Sequence, residues 1–166
     1  MIKEELDFLR ESNNIENVWD DLSLQQAILA WQYLISEQAL SQKNILEAHK
    51  ILMLYQPIKD TEKGSFRKVD VWVGSNPKPR WQSVSYLFKE WLDRLETIKD
   101  FKYSKKDKKT LSQSLHVQFE DCHPFIDGNG RIGRIVMNWL RIKWFKLPIL
   151  VIQESKKQEY YKWFKQ

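Results

Sequence analysis

Residues His123 to Arg134 read HPFIDGNGRIGR, and they interrupt two stretches whose apolar residues recur at helical spacing. Pro124 disfavours helical geometry at the residue before it, so the helix running from about Lys108 to Cys122 has to end at His123. Gly128-Asn129-Gly130 then opens a further helix, reaching about Phe145, with Ile132, Ile135, Val136, Trp139 and Leu140 as its buried stripe. A helix end, a tight connection and a helix start are thereby forced together.

The rest of the chain reads as helices around that junction. Ile2 to Glu16 is amphipathic through Leu6, Phe8, Leu9 and Ile15, and Asn17 is suited to close it in a left-handed conformation. Leu22 to Leu40 comes next, with Leu24, Ile28, Trp31 and Ile35 at helical spacing. Ser41 is the N-cap of a third helix that stops before Pro57. Ser83 to Ile98 and Ser155 to Lys165 complete the set. The period changes between Gly64 and Gly74 (GSFRKVDVWVG), where Val69, Val71 and Val73 alternate as in a strand. Pro77 and Pro79 exclude a long second strand, so a small hairpin is expected. The expectation is an all-α, mainly helical fold with one small β-hairpin, formed by a single domain over residues 1–166, with the eight tryptophans filling its core and Trp72 facing outward.

Composition excludes some classes. The apolar fraction is 42%, which belongs to a globular chain. One cysteine allows no internal disulfide, which fits a reducing compartment. No apolar run suits a signal peptide or a membrane span, so a soluble, cytoplasmic protein with no membrane partner is expected. The net charge of +5 comes largely from Lys99 to Lys109 and from Lys156, Lys157, Lys162 and Lys165. No nucleic-acid motif accompanies these lysines, and they read as solvated surface.

Glycines at Gly128 and Gly130 let backbone N–H groups turn inward at a helix N-terminus, which is an anion site suited to phosphate. Arg131 and Arg134 lie three apart on the same helix, so both are expected to project from one side near that end, where two guanidiniums imply more than one phosphate group. Asp127 precedes the nest, where a carboxylate beside a polyphosphate ordinarily acts through Mg²⁺. His123 is the group in the segment that titrates near neutrality and can take a proton from an incoming hydroxyl. Phe125 is expected to pack inward. Neither a Walker P-loop nor a kinase glycine loop fits this segment.

HPFIDGNGRIGR resembles, position for position, the HPFx[D/E]GNGRxxR motif of the Fic family. The similarity extends over most of the chain. GSFRKVDVWVG resembles that family's target-docking flap, and Leu147-Pro148 with the later Tyr160-Tyr161 resembles the family's segment C-terminal to the motif helix. The resemblance implies transfer of AMP from ATP to a Ser, Thr or Tyr hydroxyl of a target protein, which could be the enzyme itself. It implies His123 as the base, Asp127 on Mg²⁺, and Gly128, Asn129 and Gly130 around the α- and β-phosphates. Arg131 and Arg134 would take the β- and γ-phosphates, with Phe66, Arg67, Val69 and Val71 in the flap. Tyr160 and Tyr161 either contact the adenine or pack in the core. Two other readings are a phosphotransferase like the Doc toxins, which change the positions held here by Gly128 and Arg131, and a nucleotide-binding module without transferase activity.

Residues 12–17, SNNIEN, are similar to the inhibitory helix pattern [S/T]xxxE[G/N] of one subclass of the family. Ser12 and Glu16 share one helix face. The resemblance implies that Glu16 pairs with Arg134 and removes the partner of the γ-phosphate, and that it could also support removal of AMP. Cys122 and His123, being adjacent, point apart and make a poor nucleophile pair. His49 and His116 sit among apolar helix positions and read as satisfied core histidines, and no zinc spacing is present.

Overall fold

The computed structural model describes residues 1–165. Seven α-helices form: α1 (Lys3–Ile15), α2 (Asp21–Ser36), α3 (Gln42–Leu52), α4 (Val84–Ile98), α5 (Lys105–Cys122), α6 (Asn129–Lys143) and α7 (Lys157–Tyr161). The caps obey the local chemistry. Asp20 and Ser41 accept from the amides of Ser23 and Asn44 at the starts of α2 and α3, and Asn17 closes α1 at φ 58°.

Helix α6 is the centre of the fold. Ile132, Ile135, Val136, Trp139 and Leu140 are all buried, and α1, α2, α3 and α5 pack against it. Trp139 donates to the carbonyl of Leu34 at 2.9 Å, which fixes α6 to the end of α2. On the other side Phe88 and Trp91 of α4 meet Phe119 of α5 in edge-on contacts. The buried face of α2 is Ala27, Ala30, Trp31 and Leu34, while Leu24, Ile28 and Ile35 pack at its margin. The small alanines let α2 approach its neighbours closely. Phe8 packs edge-on to Trp31, and Glu5 accepts from the Trp31 indole at 3.0 Å, so α1 is docked on α2.

The structure corrects three expectations. The strand signal over 64–74 yields two-residue strands only, β1 (Trp72–Val73) and β2 (Asn76–Pro77), paired antiparallel about Gly74-Ser75. Val69 and Val73 are exposed, so the valine alternation has no buried face to serve. The last helix is shorter than 155–165, with α7 flanked by 3₁₀ turns at Glu154–Lys156 and Lys162–Phe164. Of the eight tryptophans, Trp31, Trp91 and Trp139 are buried, whereas Trp19, Trp72 and Trp81 are exposed. No helix among the described residues is long and apolar enough to cross a membrane.

Candidate functional site

The end of α5 and the start of α6 meet at a cleft of about 550 Å³. His123, Asp127, Gly128, Asn129, Gly130 and Arg134 line it, with Glu16 from α1, Trp72 and Val73 from the hairpin, and Tyr160 and Tyr161 from α7.

His123 is the cap of α5 and has φ 47°, a left-handed conformation uncommon outside glycine. Pro124 accounts for the end of the helix, and Arg67 holds the resulting backbone. Arg67 is buried, donates from Nε to the His123 carbonyl at 2.7 Å, and donates from its other nitrogens to the carbonyls of Val69 and Pro79. The Arg67 amide also donates to the Pro124 carbonyl at 2.9 Å. The His123 imidazole is pushed down to about 4, first by burial and then by Lys78 and Arg67 nearby. It is therefore neutral at physiological pH and has a lone pair available.

The connection between α5 and α6 is fixed from inside. Asn129 turns its amide inward, accepting from the Phe125 amide and donating to the Phe125 carbonyl, both at 2.9 Å. Phe125 is fully buried and stacks on His49 with ring centroids 3.8 Å apart. His49 accepts from the Gly64 amide at Nδ1, so its Nε2–H donates to the Asp127 carbonyl at 2.9 Å. His49 is thus a satisfied core histidine that also joins the stem of the hairpin segment to the Asp127 loop. Burial pushes its pKa down to about 4, which keeps it neutral for that role. Gly128 adopts φ 81°, and a Cβ there would lie 2.7 Å from the Met53 sulfur. Asp127 is half-exposed, with one oxygen accepting from the Gly128 amide at 2.6 Å.

The two arginines part company. Arg134 stays at the cleft although 1% exposed: Nε donates to Ser12 Oγ at 2.8 Å, Nη2 to the Ser12 carbonyl at 2.9 Å and to Glu16 Oε1 at 2.7 Å, and Nη1 to Tyr160 OH at 3.1 Å. Burial opposes its charge, but Tyr160 and Glu16 raise its pKa. Arg131, expected on the same side, turns away instead. It is buried against Met53 and Gln56, with Asp127 Oδ2 3.6 Å away. A three-residue spacing aligns Cβ atoms, but the long side chain takes its direction from the space beside α3.

Other sequence expectations sort in the same way. Phe66 packs against Phe88 and Phe125, and Arg67 is buried under the hairpin, so neither faces a target. Val69 is exposed and Val71 half-buried, whereas Trp72, Val73, Asn76 and Lys78 stand at the cleft. Tyr160 is buried with its hydroxyl against Arg134 and, at 2.7 Å, against His116 Nε2. Tyr160 is thus a buried part of the cleft wall whose hydroxyl steadies Arg134, and Tyr161 is the half-buried one of the pair. His116 is only half satisfied, since its Nδ1 finds no partner among the described residues. Burial pushes the Cys122 thiol up to about 11, which keeps it protonated at neutral pH. Glu120 also lines the cleft beside His123, and its only mark in the sequence is its place one helical turn before that histidine.

The Fic/DOC family model matches residues 39–140, and the chain belongs to that family. The chain is 29% identical over 137 residues to the protein adenylyltransferase Fic of Drosophila erecta, an alignment covering 80% of this chain and 26% of that one. It thus spans about a quarter of the length of the curated relatives it matches. The fold is that of a Fic domain-containing signaling protein from Bacteroides thetaiotaomicron, with TM-score 0.79 and 20% identity, covering 96% of this chain and 70% of that chain. A BepC protein from Bartonella tribocorum, solved with bound AMPPNP, has TM-score 0.56 and 15% identity, covering 80% of this chain and 69% of that one.

Proposed function

We propose that this domain is a protein adenylyltransferase that moves AMP from ATP to a hydroxyl of a protein target, its own chain being one candidate. The observation that carries the reading is the placement of neutral His123 on the same cleft as the α6 N-terminus and Arg134. The curated relatives named for this activity and the AMPPNP bound to the BepC protein support the choice of donor.

The N–H groups of Asn129 and Gly130 and the positive end of α6 hold the phosphates, while the Gly128 amide, bonded to Asp127, shapes the turn beneath them. A Cβ at Gly130 would collide with Glu16 Oε1 and crowd Arg134 Nη1 at 3.0 Å, so a larger residue there would have to displace both side-chain ends. Arg134 takes the outer phosphates, and Arg131 acts at one remove, as a buried charge that fixes Asp127. Asp127, half-exposed beside the nest, is the carboxylate that would hold a phosphate-bound Mg²⁺, a cation that keeps one or two carboxylates among its ligands. Mg²⁺ bound there would supply positive charge to the phosphates. His123 takes the proton of the target hydroxyl as the new O–P bond forms at the α-phosphorus and the bond to pyrophosphate breaks. The hairpin edge at Trp72–Val73 holds the target segment by backbone pairing.

In the same reading Glu16 is an inhibitory group. Its carboxylate holds Arg134 at 2.7 Å and lies over Gly130, where an added Cβ would collide with Oε1. Incubation with ATP labelled at the α- or the γ-phosphate tests the activity. Transfer of the α label that His123→Ala abolishes while still binding ATP is the expected result. Transfer of the γ label makes the domain a phosphotransferase, and binding of ATP without transfer to any protein target makes it a nucleotide-binding module.

A further inference from the structure

Glu120 stands on the wall of the cleft with no role in the reaction above. It lies one helical turn before His123 on α5, and its Oε2 is 4.0 Å from His123 Nδ1. The Glu120 backbone carbonyl faces the same Nδ1 at 3.3 Å. The carbonyl and the nearby carboxylate that face Nδ1 thus both belong to one residue, and Nε2 lies at the opposite edge of the ring. The other carboxylate oxygen, Oε1, is buried and has no hydrogen-bond partner among the described residues. It presses on α6 at Gly133, where an added Cβ would meet it at 2.5 Å. An unpartnered buried carboxylate oxygen costs about 1–3 kcal/mol, so stability does not account for this residue.

Charged and titratable groups face Glu120 from every side: Arg134 from α6, Glu16 from α1, Lys78 from the hairpin, Tyr160 from α7, and His116, Asp121 and His123 on α5 itself. Burial pushes its carboxyl up to about 8; Arg134 works against that and Glu16 adds to it. Glu120 therefore passes from neutral to charged as pH rises through that value.

We propose that Glu120 is the positioning residue for His123: its ionised carboxylate accepts the Nδ1–H, turns Nε2 toward the incoming hydroxyl, and holds the positive charge His123 acquires with the proton. This rests on His123 being the base. The hydroxyl proton goes to Nε2, the Nδ1 proton remains on the ring against Oε2, and the electron pair of the breaking P–O bond leaves with pyrophosphate. The present 4.0 Å separation has to shorten to hydrogen-bond distance once Glu120 is ionised. Transfer accordingly accelerates with pH as Glu120 ionises, and Glu120→Gln lowers kcat on the order of tenfold or more, removes that rise, and leaves KM for ATP unchanged.

The deciding experiment tracks the ring nitrogens of His123 by ¹⁵N NMR from about pH 5.5 to 9 without nucleotide or target. The wild-type protein is expected to show a step near pH 8 that disappears in Glu120→Gln and survives, displaced, in Glu120→Asp. Absence of the step from the wild type, or identical curves for the wild type and Glu120→Gln, overturns the proposal. The spectrum does not depend on transfer, so a wild-type protein that shows the step but moves no α label overturns the transferase reading alone.

Discussion

Arg67 donates from Nε to the backbone carbonyl of His123 across 56 positions of sequence, at 2.7 Å. The same guanidinium reaches the carbonyls of Val69 and Pro79 on the two legs of the hairpin. One side chain therefore sets the left-handed backbone of His123 and the height of the hairpin over the cleft.

Arg67→Met is expected to lower unfolding free energy by about 3 kcal/mol, because three carbonyls lose a charged donor and the replacement still fills the space. Urea denaturation measures it. Loss of less than about 1 kcal/mol would mean that water replaces the guanidinium and the coupling of hairpin to His123 is loose.

Glu16→Gly is expected to raise α-label transfer about tenfold, equivalent to ~1.4 kcal/mol, because Arg134 is freed. A partly buried pair with several hydrogen bonds exceeds the ~0–1 kcal/mol of an exposed one. The variant is also expected to gain more thermal stability from added Mg-ATP than the wild type does, since no binding energy goes into displacing the carboxylate. Equal rates and equal thermal shifts would remove Glu16 from the regulation of this site.

His49→Leu is expected to cost about 2–3 kcal/mol, since it leaves the Gly64 amide and the Asp127 carbonyl unpaired in place of a well-made bridge. Hydrogen exchange checks the mechanism: the Gly64 amide should lose its protection while the amides of α4 keep theirs.

Stability should peak near pH 6.5. His49, His116 and His123 have pKa values pushed down to about 4, 3 and 4, so below about 6.5 the unfolded chain binds protons that the folded chain refuses, and stability drops as pH is lowered. Glu120 works in the opposite sense. Its carboxyl, raised to about 8, keeps a proton when folded that it releases when unfolded, so between about 4.5 and 8 its contribution falls as pH rises. Between 4.5 and 6.5 three histidines outweigh one carboxyl; above 6.5 the carboxyl acts alone, at up to about 1.4 kcal/mol per pH unit. Denaturation midpoints across this range test the shape, and Glu120→Gln should flatten the alkaline side.

The helices and the HPFIDGNGRIGR segment were legible because each depends on residues close in sequence. Proline just after a helix end, glycine at positive φ and an apolar stripe are local requirements, and α6 meets its expected stripe residue by residue. The contacts that hold the site were not legible, because they are tertiary. Arg67 stands in sequence among the outward-facing hairpin residues, yet its side chain is buried beneath them. Tyr160 fits either an adenine contact or the core, and only the fold brings its hydroxyl to Arg134 and His116. The alternating valines failed as a strand signal because alternation reports a buried face, and here Val69 and Val73 have none. Arg131 and Arg134 diverge for a related reason: helical spacing sets where a side chain starts, and the neighbouring helix sets where it goes.

Glu16 presents a carboxylate to Arg134 from the same chain, over the glycine at the mouth of the α6 nest. A tethered anion cannot be diluted away. Its local concentration is fixed by the docking of α1 and is the same at every concentration of enzyme. Any free anion that seeks Arg134 therefore competes against a constant, and half-occupancy of that guanidinium reads out the free anion's concentration alone.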